Sequence, residues 1–294
     1  MTNVYRFIFL ATLPVFLSLR SEAQDSTKNN ATDHSHVEAG IDYLSNNVYL
    51  GRHDSLRIPY LTPTISYYNK TGFYATGSLS YVHDTQSSDI DQVEISAGYT
   101  YVKNKFAGDL SLEKDFYNSA SKNVRAETKG SLNAIVSYDF GFIKPELDGG
   151  LVFNLKNDYY SGFGLSHAFY FDDDNFEIDP SFLVNASTQN YYNAYYSKRK
   201  YKVKRKKGTV ALTSTKAYLP NTSQFKIMDY EISVPVEYSL GNFIFNFTPA
   251  ESIPVNPNVA VITVTPPSGN AVTRTKTEKL SSIFYWSAGF TYSF

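Results

Sequence analysis

Residues 284–294 read Phe-Tyr-Trp-Ser-Ala-Gly-Phe-Thr-Tyr-Ser-Phe. Every second residue from Phe284 to Phe294 falls on one face of an extended chain, and that face is almost entirely aromatic. The intervening residues are mostly small or polar. Alternation with a period of two predicts a β-strand whose two faces meet different surroundings.

The same alternation recurs along the chain. In residues 229–238, Tyr230, Ile232 and Val234 lie opposite Asp229 and Glu231. Segments of this kind are what transmembrane β-barrel strands look like in sequence, since one face meets lipid and the other the lumen. The predicted strands are 37–43, 61–67, 75–81, 93–101, 106–113, 129–138, 146–153, 162–169, 177–184, 229–238, 243–248 and 284–294.

The connections between these segments alternate in length. Every second one is very short, namely 69–72, 102–105, 139–142, 172–175 and 239–242. The others are longer, above all 187–227 and 251–280. This asymmetry favours a closed antiparallel up-and-down transmembrane β-barrel of about twelve strands, with short periplasmic turns and long extracellular loops. Greek-key sandwiches have no reason to show it.

Four prolines lie inside the proposed strands, at Pro63, Pro145, Pro180 and Pro235. Because each proline removes a donor from the strand ladder, these boundaries are the weakest points of the assignment.

The composition fits this assignment. The chain has 294 residues, 25 of them Tyr and 21 Phe, which are good strand formers. The absence of Cys excludes disulfides and thiolate chemistry, and a net charge of -1 makes nucleic acid an unlikely partner.

The N-terminal region predicts export. Arg6 precedes an apolar run from Phe7 to Leu19, and Ser21-Glu22-Ala23 offers a cleavage site, so residues 1–23 are interpreted as a signal peptide. Residues 24–35 are then a flexible lead, and 36–294 form the barrel domain. No later segment approaches about 20 consecutive apolar residues, so an exported membrane protein of this sequence must insert as a closed barrel.

The final strand resembles that of bacterial outer-membrane β-barrel proteins, in which alternating aromatics ending in Phe form the signal read by the barrel assembly machinery. The resemblance covers this strand and the general layout, without indicating a subfamily. It implies a location in the outer membrane and an insertion signal formed by Phe290, Tyr292 and Phe294. The implied partners are the assembly machinery, outer-membrane lipid and lipopolysaccharide.

The predicted inward faces are acidic, with Lys129 nearly the only matching base. One interpretation is an electronegative, water-filled pore that favours cations. The other is a filled lumen in which loops pair with the carboxylates or burial keeps them neutral. The candidate lumen-lining residues are Glu38, Asp42, Glu94, Asp109, Glu113, Glu146, Asp148 and Glu231.

A basic run lies in the longest predicted loop. It suits a solvated loop that meets lipopolysaccharide phosphates. It also suits a plug in the acidic mouth or, because of its interleaved Tyr, capture of a glycan or nucleic acid. Its charged members are Lys198, Arg199, Lys200, Lys202, Lys204, Arg205, Lys206 and Lys207.

The sequence contains no catalytic, cofactor or metal motif that we recognise. Ser166 and His167 are adjacent, and neighbours on a strand point to opposite faces, so they cannot act as nucleophile and base. We therefore expect a non-enzymatic, porin-like channel for small solutes or cations. The alternatives are a non-conducting structural or interaction barrel that presents its basic loop, and an outer-membrane hydrolase of phospholipase or protease type.

Overall fold

The computed structural model describes residues 34–53, 57–84, 87–200, 214–266 and 269–294. The expected signal peptide and nearly all of the N-terminal lead lie outside these residues, as do positions 201–207 of the basic run. Within the described residues, no helix is both long and apolar enough to cross a membrane.

Antiparallel strands form most of the described chain. They are β1 (His36–Leu44), β2 (Tyr60–Tyr68), β3 (Phe73–Asp84), β4 (Ser87–Lys103), β5 (Phe106–Tyr117), β6 (Gly130–Tyr138), β7 (Lys144–Phe153), β8 (Asp158–Ser166), β9 (Phe169–Phe171), β10 (Phe176–Ile178), β11 (Ser181–Ser187), β12 (Ser214–Tyr218), β13 (Lys226–Ser233), β14 (Val236–Leu240), β15 (Phe243–Pro254), β16 (Val259–Thr265), β17 (Val272–Thr277) and β18 (Ile283–Ser293). A helix α1 (Asn190–Tyr195) continues into a π-helix (Tyr196–Lys200).

The main sheet closes into a barrel. Each strand from β1 to β7 pairs with the next, β8 pairs with β11, β11 with β13, β13 with β15, and β15 with β18. The circle is completed by β1 and β18, where Ile41 faces Phe290 and the Phe294 amide donates to the Val37 carbonyl at 2.9 Å. The closed antiparallel barrel of twelve strands predicted from the sequence is confirmed.

Three of the twelve wall strands are interrupted. The segments β9, β10 and β14 continue β8, β11 and β13 toward the short turns. Pro180 and Pro235 lie at two of these breaks, where a proline has no amide to give the ladder. Two backbone hydrogen bonds span the breaks. The Asp179 amide donates to the Pro235 carbonyl at 2.9 Å, and the His167 amide donates to the Pro180 carbonyl at 3.3 Å. Pro63 and Pro145, by contrast, lie within β2 and β7.

The two ends of the barrel differ. One end, called here the turn end, carries the tight connections and β1's first residue. The other, the loop end, carries the long connections. Two loop-end connections are shorter than predicted, because β3 and β4 stay paired up to Asp84 and Ser87 and because β7 and β8 are joined by 154–157 alone. The predicted strict alternation of length is wrong at these two hairpins.

The barrel wall separates two kinds of side chain. Outward positions carry exposed apolar residues, for example Ile65, Ile95, Leu110 and Phe284. Inward positions carry buried hydroxyl, amide and carboxyl groups. This is the period-two pattern of the sequence, now shown to run around the whole wall.

The long connections fold together into a cap at the loop end. This loop cap comprises the described parts of 45–59, 118–129, 188–225 and 255–282, including α1 and a separate sheet of order β12-β16-β17. Each of the four connections contributes to one apolar core. Its buried members are Tyr49, Leu50, Val124, Tyr191, Tyr192, Tyr195, Tyr196, Ala217, Leu219, Met228, Ala260 and Ile262.

Candidate functional site: the polar lumen and its loop cap

Small polar side chains line the lumen. The wall places inward a set of buried serines and threonines that includes Thr62, Ser66, Thr76, Ser78, Ser80, Ser96, Ser111, Ser131, Ser137, Ser166, Ser233, Ser252, Thr291 and Ser293. Some bond across strands, as Ser66 does to Thr76 at 2.9 Å and Ser181 to Ser233 at 2.7 Å. Hydroxyls can donate and accept, so such a surface suits water and polar solutes.

The eight predicted acidic residues all occupy inward positions. Seven are buried, and Glu113 is partly buried. The structure does not gather them at one place. Glu38, Asp109, Glu146 and Asp148 lie within the first five residues of β1, β5 or β7, near the turn end. Whether this surface selects cations stays a prediction.

Two carboxylates lie flat against the wall because the neighbouring strand offers a glycine. Asp42 lies over Gly289 and Asp148 over Gly162, so closely that a Cβ on either glycine would overlap the carboxylate. Asn246 donates to Asp42 Oδ1 at 3.3 Å. Inward glycines thus make room for acidic side chains on the neighbouring strand.

The bases that lie beside buried carboxylates differ from the predicted one. Lys129 is exposed. Lys144 Nζ lies 3.6 Å from Asp179 Oδ2, and His36 Nε2 lies 3.4 Å from Glu38 Oε1. Lys129 directly precedes β6, where no strand alternation yet fixes its direction.

The most concentrated charge cluster lies where the 118–129 loop enters the barrel. Arg125 Nη2 lies 3.1 Å from Glu113 Oε1 and 3.6 Å from Asp115 Oδ2, and its guanidinium packs over the Tyr49 ring at 5.0 Å. Glu94 adds a third carboxylate, since ligand oxygens of Glu94, Glu113 and Asp115 all lie within 4.8 Å of one another. Of the predicted lumen residues, the structure brings Glu94 and Glu113 together here.

The 118–129 loop is held in place by Asp91. The Asp91 carboxylate accepts the Tyr60 hydroxyl at 2.6 Å and the Ser121 hydroxyl at 2.8 Å. The Asp91 carbonyl accepts the Asn118 amide at 2.7 Å. Val124 of the same loop belongs to the cap core, so the loop is fixed by both polar and apolar contacts.

The 45–59 loop also enters the barrel. Its Val48 and Ile58 pack with Leu44, Tyr60, Ala250 and Tyr285, which lie on inward positions of the wall. The Tyr285 hydroxyl donates to Glu231 Oε2 at 2.8 Å, which places that predicted lumen residue beneath this second apolar cluster.

A buried arginine joins this loop to the last long connection. Arg52 is 1% exposed, and its Nη2 donates to the Val255 carbonyl at 3.0 Å and the Asn256 carbonyl at 3.2 Å. Arg52 Nε lies 3.4 Å from Glu278 Oε2, and the Tyr192 hydroxyl donates to Glu278 Oε1 at 2.7 Å. Burial, with the Glu278 charge beside it, raises the pKa of Tyr192, so this hydroxyl stays a donor.

Asp158 organises the start of α1. Its carboxylate accepts the backbone amides of Asn190 at 2.6 Å and Tyr191 at 2.7 Å, and the Thr188 hydroxyl at 2.6 Å.

Sequence reasoning missed Arg52, Asp91, Arg125 and Asp158. For Arg52 and Arg125 the signal was weak, since an isolated charge in a loop gives no period that predicts its direction. Asp91 and Asp158 lie in the parts of β4 and β8 that extend beyond the predicted segments 93–101 and 162–169.

Lys198, the first residue of the basic run, lies at the cap surface. Lys198 Nζ lies 2.7 Å from Glu127 Oε2, and its side chain is 48% exposed. Arg199 and Lys200 belong to the π-helix, and the rest of the run lies outside the described residues. The role of the run therefore stays a prediction.

The Ser166–His167 pair and the aromatic residues of the final strand lie on the barrel wall. Ser166 is buried on the inward face, whereas the His167 ring packs edge-on against the exposed Phe169 at 4.6 Å, so the two side chains do not meet. Phe290 and Phe294 are exposed on the outer wall and Tyr292 is partly exposed, with its ring 4.9 Å from that of Phe294.

Comparisons with known proteins give only remote similarity. No protein-family model and no curated protein matches the chain. The KdgM porin aligns at 11% identity and a TM-score of 0.42, over 88% of this chain and 99% of that chain. The NanC porin aligns at 8% identity and a TM-score of 0.46, over 87% of this chain and 98% of that chain. Salmonella typhi OmpF aligns at 7% identity and a TM-score of 0.32, over 88% of this chain and 97% of that chain. The closed barrel is established by the strand pairing itself.

Proposed function

We propose that the chain is an outer-membrane, porin-like channel for small polar solutes or cations, closed in this structure by its loop cap. The observation that carries the proposal is the division of the closed wall into an exposed apolar outer face and a polar inner face. A barrel that worked in water would not expose large apolar side chains all around its wall. Lipid is the surrounding that suits them.

The cap supports a gated rather than an open channel. The cluster of Val48 and Ile58 packs against inward-facing wall residues, and Arg125 of the 118–129 loop reaches Glu113 and Asp115 of the wall, so both loops occupy the loop end of the lumen. Passage of a solute then needs movement of 45–59, 118–129 or both. Toward the turn end the lumen keeps its small hydroxyls and the acids Glu38, Glu146 and Asp148.

Planar-bilayer recording tests the proposal. Folded protein should give discrete conductance steps with a reversal potential that favours cations. Neutralising the acids in Glu94→Gln, Asp109→Asn and Glu231→Gln should weaken that preference, because the carboxylates are its only proposed source. Properly folded protein that stays silent, even when the cap is destabilised, would overturn the channel function.

The second candidate is a non-conducting interaction barrel, and the extensive buried core of the cap favours it. Deleting 198–207 separates two roles of the basic run. Conductance should rise if the run is a plug and stay unchanged if it is solvated at the surface, where Lys198 lies. The hydrolase alternative gains no support from Ser166 and His167, which point to opposite sides of the wall.

A further inference from the structure

The apolar outer wall carries a lysine at the loop end of β5. Outward positions of this strand are apolar at Leu110, Leu112 and Phe116, but Lys114 lies between them on the same face. The Lys114 side chain is exposed, and its Nζ lies 5.2 Å from the centre of the Phe116 ring. A lysine on the lipid face of a barrel is costly at mid-membrane and tolerated near the interface. Lys114 therefore marks the depth at which this part of the wall reaches the headgroups.

Lys129 lies beside Lys114 because the alternation of β6 is broken at its start. Lys114 faces Gly130 across the β5–β6 ladder. Gly130 has a φ of +145°, and the residues on either side of the break, Thr128 and Ser131, are both buried. Lys129, between them, is exposed. Since neighbouring strands lie about 4.8 Å apart, the long side chains of Lys114 and Lys129 can reach a common anion.

A third lysine comes from the next hairpin. The Lys129 amide donates to the Phe153 carbonyl at 2.7 Å, and Lys156 follows in the tight connection 154–157. Lys156 is exposed, and so is its apolar neighbour Leu155. Within the described residues, no carboxylate forms an ion pair with Lys114, Lys129 or Lys156. Their charges are therefore available to an anion from outside the chain.

We propose that Lys114, Lys129 and Lys156 form a binding site on the outer wall for a phosphorylated glycolipid, the lipopolysaccharide of the outer leaflet. Charge complementarity carries the proposal, because lysine ammonium groups bind phosphate as point charges. Phe116 and Leu155 supply exposed apolar surface beside them for the acyl chains.

The position on the barrel agrees with this ligand. Long connections of an outer-membrane barrel face the outside, so its loop end lies in the outer leaflet. The three lysines lie at that end, where the apolar wall gives way to charge. The inference rests on the outer-membrane placement of the proposed function and is independent of conduction.

Native mass spectrometry of the purified, folded full-length barrel tests the site, with bisphosphorylated lipid A as probe. Combining Lys114→Gln, Lys129→Gln and Lys156→Gln should lower the affinity for lipid A about a hundredfold, since each base near an anionic lipid surface contributes roughly a fivefold factor. Lipid A without phosphates should bind the unmodified protein as weakly as bisphosphorylated lipid A binds the variant.

Two sets of variants provide the controls. Lys70→Gln, Lys103→Gln and Lys105→Gln together remove the same number of exposed lysines from the turn end, and should leave the affinity unchanged. Arginine at the three loop-end positions should restore binding, because a guanidinium also binds phosphate. If the loop-end triple variant does not fold, Lys114→Gln alone should lower the affinity about fivefold, and Lys103→Gln alone should not.

The proposal is overturned if the folded loop-end variant keeps the affinity of the unmodified protein, or if the turn-end variant loses as much. Equal affinity for phosphatidylglycerol, or displacement of lipid A by inorganic phosphate, would also overturn it, because either would show a general anion surface. Bilayer recording keeps this apart from the proposed function. Lipid A binding by a barrel that never conducts refutes the channel alone, and conduction without lipid A binding refutes the site alone.

Discussion

Replacing Arg52 with Met should loosen the loop cap while leaving the wall intact. Arg52 is 1% exposed and holds the 255–282 connection through two carbonyls and Glu278. Removing one partner of a buried ion pair costs about 3–5 kcal/mol. Since about 1.4 kcal/mol corresponds to a factor of ten, the cap's opening equilibrium should shift by roughly a hundredfold to a few thousandfold.

Hydrogen exchange of the folded barrel measures this shift directly. Cap amides such as that of Asn258, which donates to Glu278 Oε2 at 3.2 Å, should exchange faster by that factor, while amides of β3 and β4 stay protected. In bilayers the same variant should open more often. Arg274→Met, on the exposed strand β17 of the same cap, is the matched control.

Two results would refute the reasoning in different ways. Unchanged exchange in the cap of Arg52→Met would mean that the buried ion pair does not hold the cap closed. Faster exchange without any change in open probability would mean that the cap does not gate the lumen.

Three further predictions concern the wall. Ile95→Arg should destabilise the folded barrel in lipid by about 2–4 kcal/mol, whereas Ile95→Leu should not, and equal unfolding midpoints in denaturant would argue against a lipid-facing wall. Gly289→Val should cost roughly 1–3 kcal/mol, because its Cβ would meet Asp42 and the neighbouring backbone. Gly77→Val, where no atom lies within 4 Å of the added Cβ, is its control, and equal midpoints for the two variants would contradict the close packing. Phe294→Ala should lower the amount of heat-modifiable barrel in the outer membrane, and an unchanged amount would remove Phe294 from the insertion signal.

The wall was predictable because the two faces of a strand meet different surroundings, and the residue types alternate accordingly along the sequence. Side chains alternate every second residue, so Ile95 and Glu94 were assigned to opposite faces without any knowledge of neighbouring strands. The breaks at Pro180 and Pro235 were anticipated as weak points for a similar local reason, the missing amide. The lengths of β3 and β4 were underestimated, because their pairing persists to Asp84 and Ser87.

The loop cap was not predictable in the same way. Arg125 and Asp91 are separated by many residues in sequence, and their roles depend on the 118–129 loop folding back into a lumen that exists only after the barrel closes. No local period fixes the direction of a loop side chain. For this reason Lys129 was assigned inward and Arg125 was overlooked.

By itself, then, the sequence determined that this chain forms a closed wall with an apolar outside, a polar inside and a last strand reaching Phe294. Only the tertiary structure decided that the loop end of the lumen is filled, and that the guanidinium of Arg125 lies beside Glu113. The physical reason is that the side chains of a wall strand alternate between its two faces every second residue, which is a local property of the sequence. The cap depends on contacts between distant segments, and those contacts become possible only when the barrel brings their ends together.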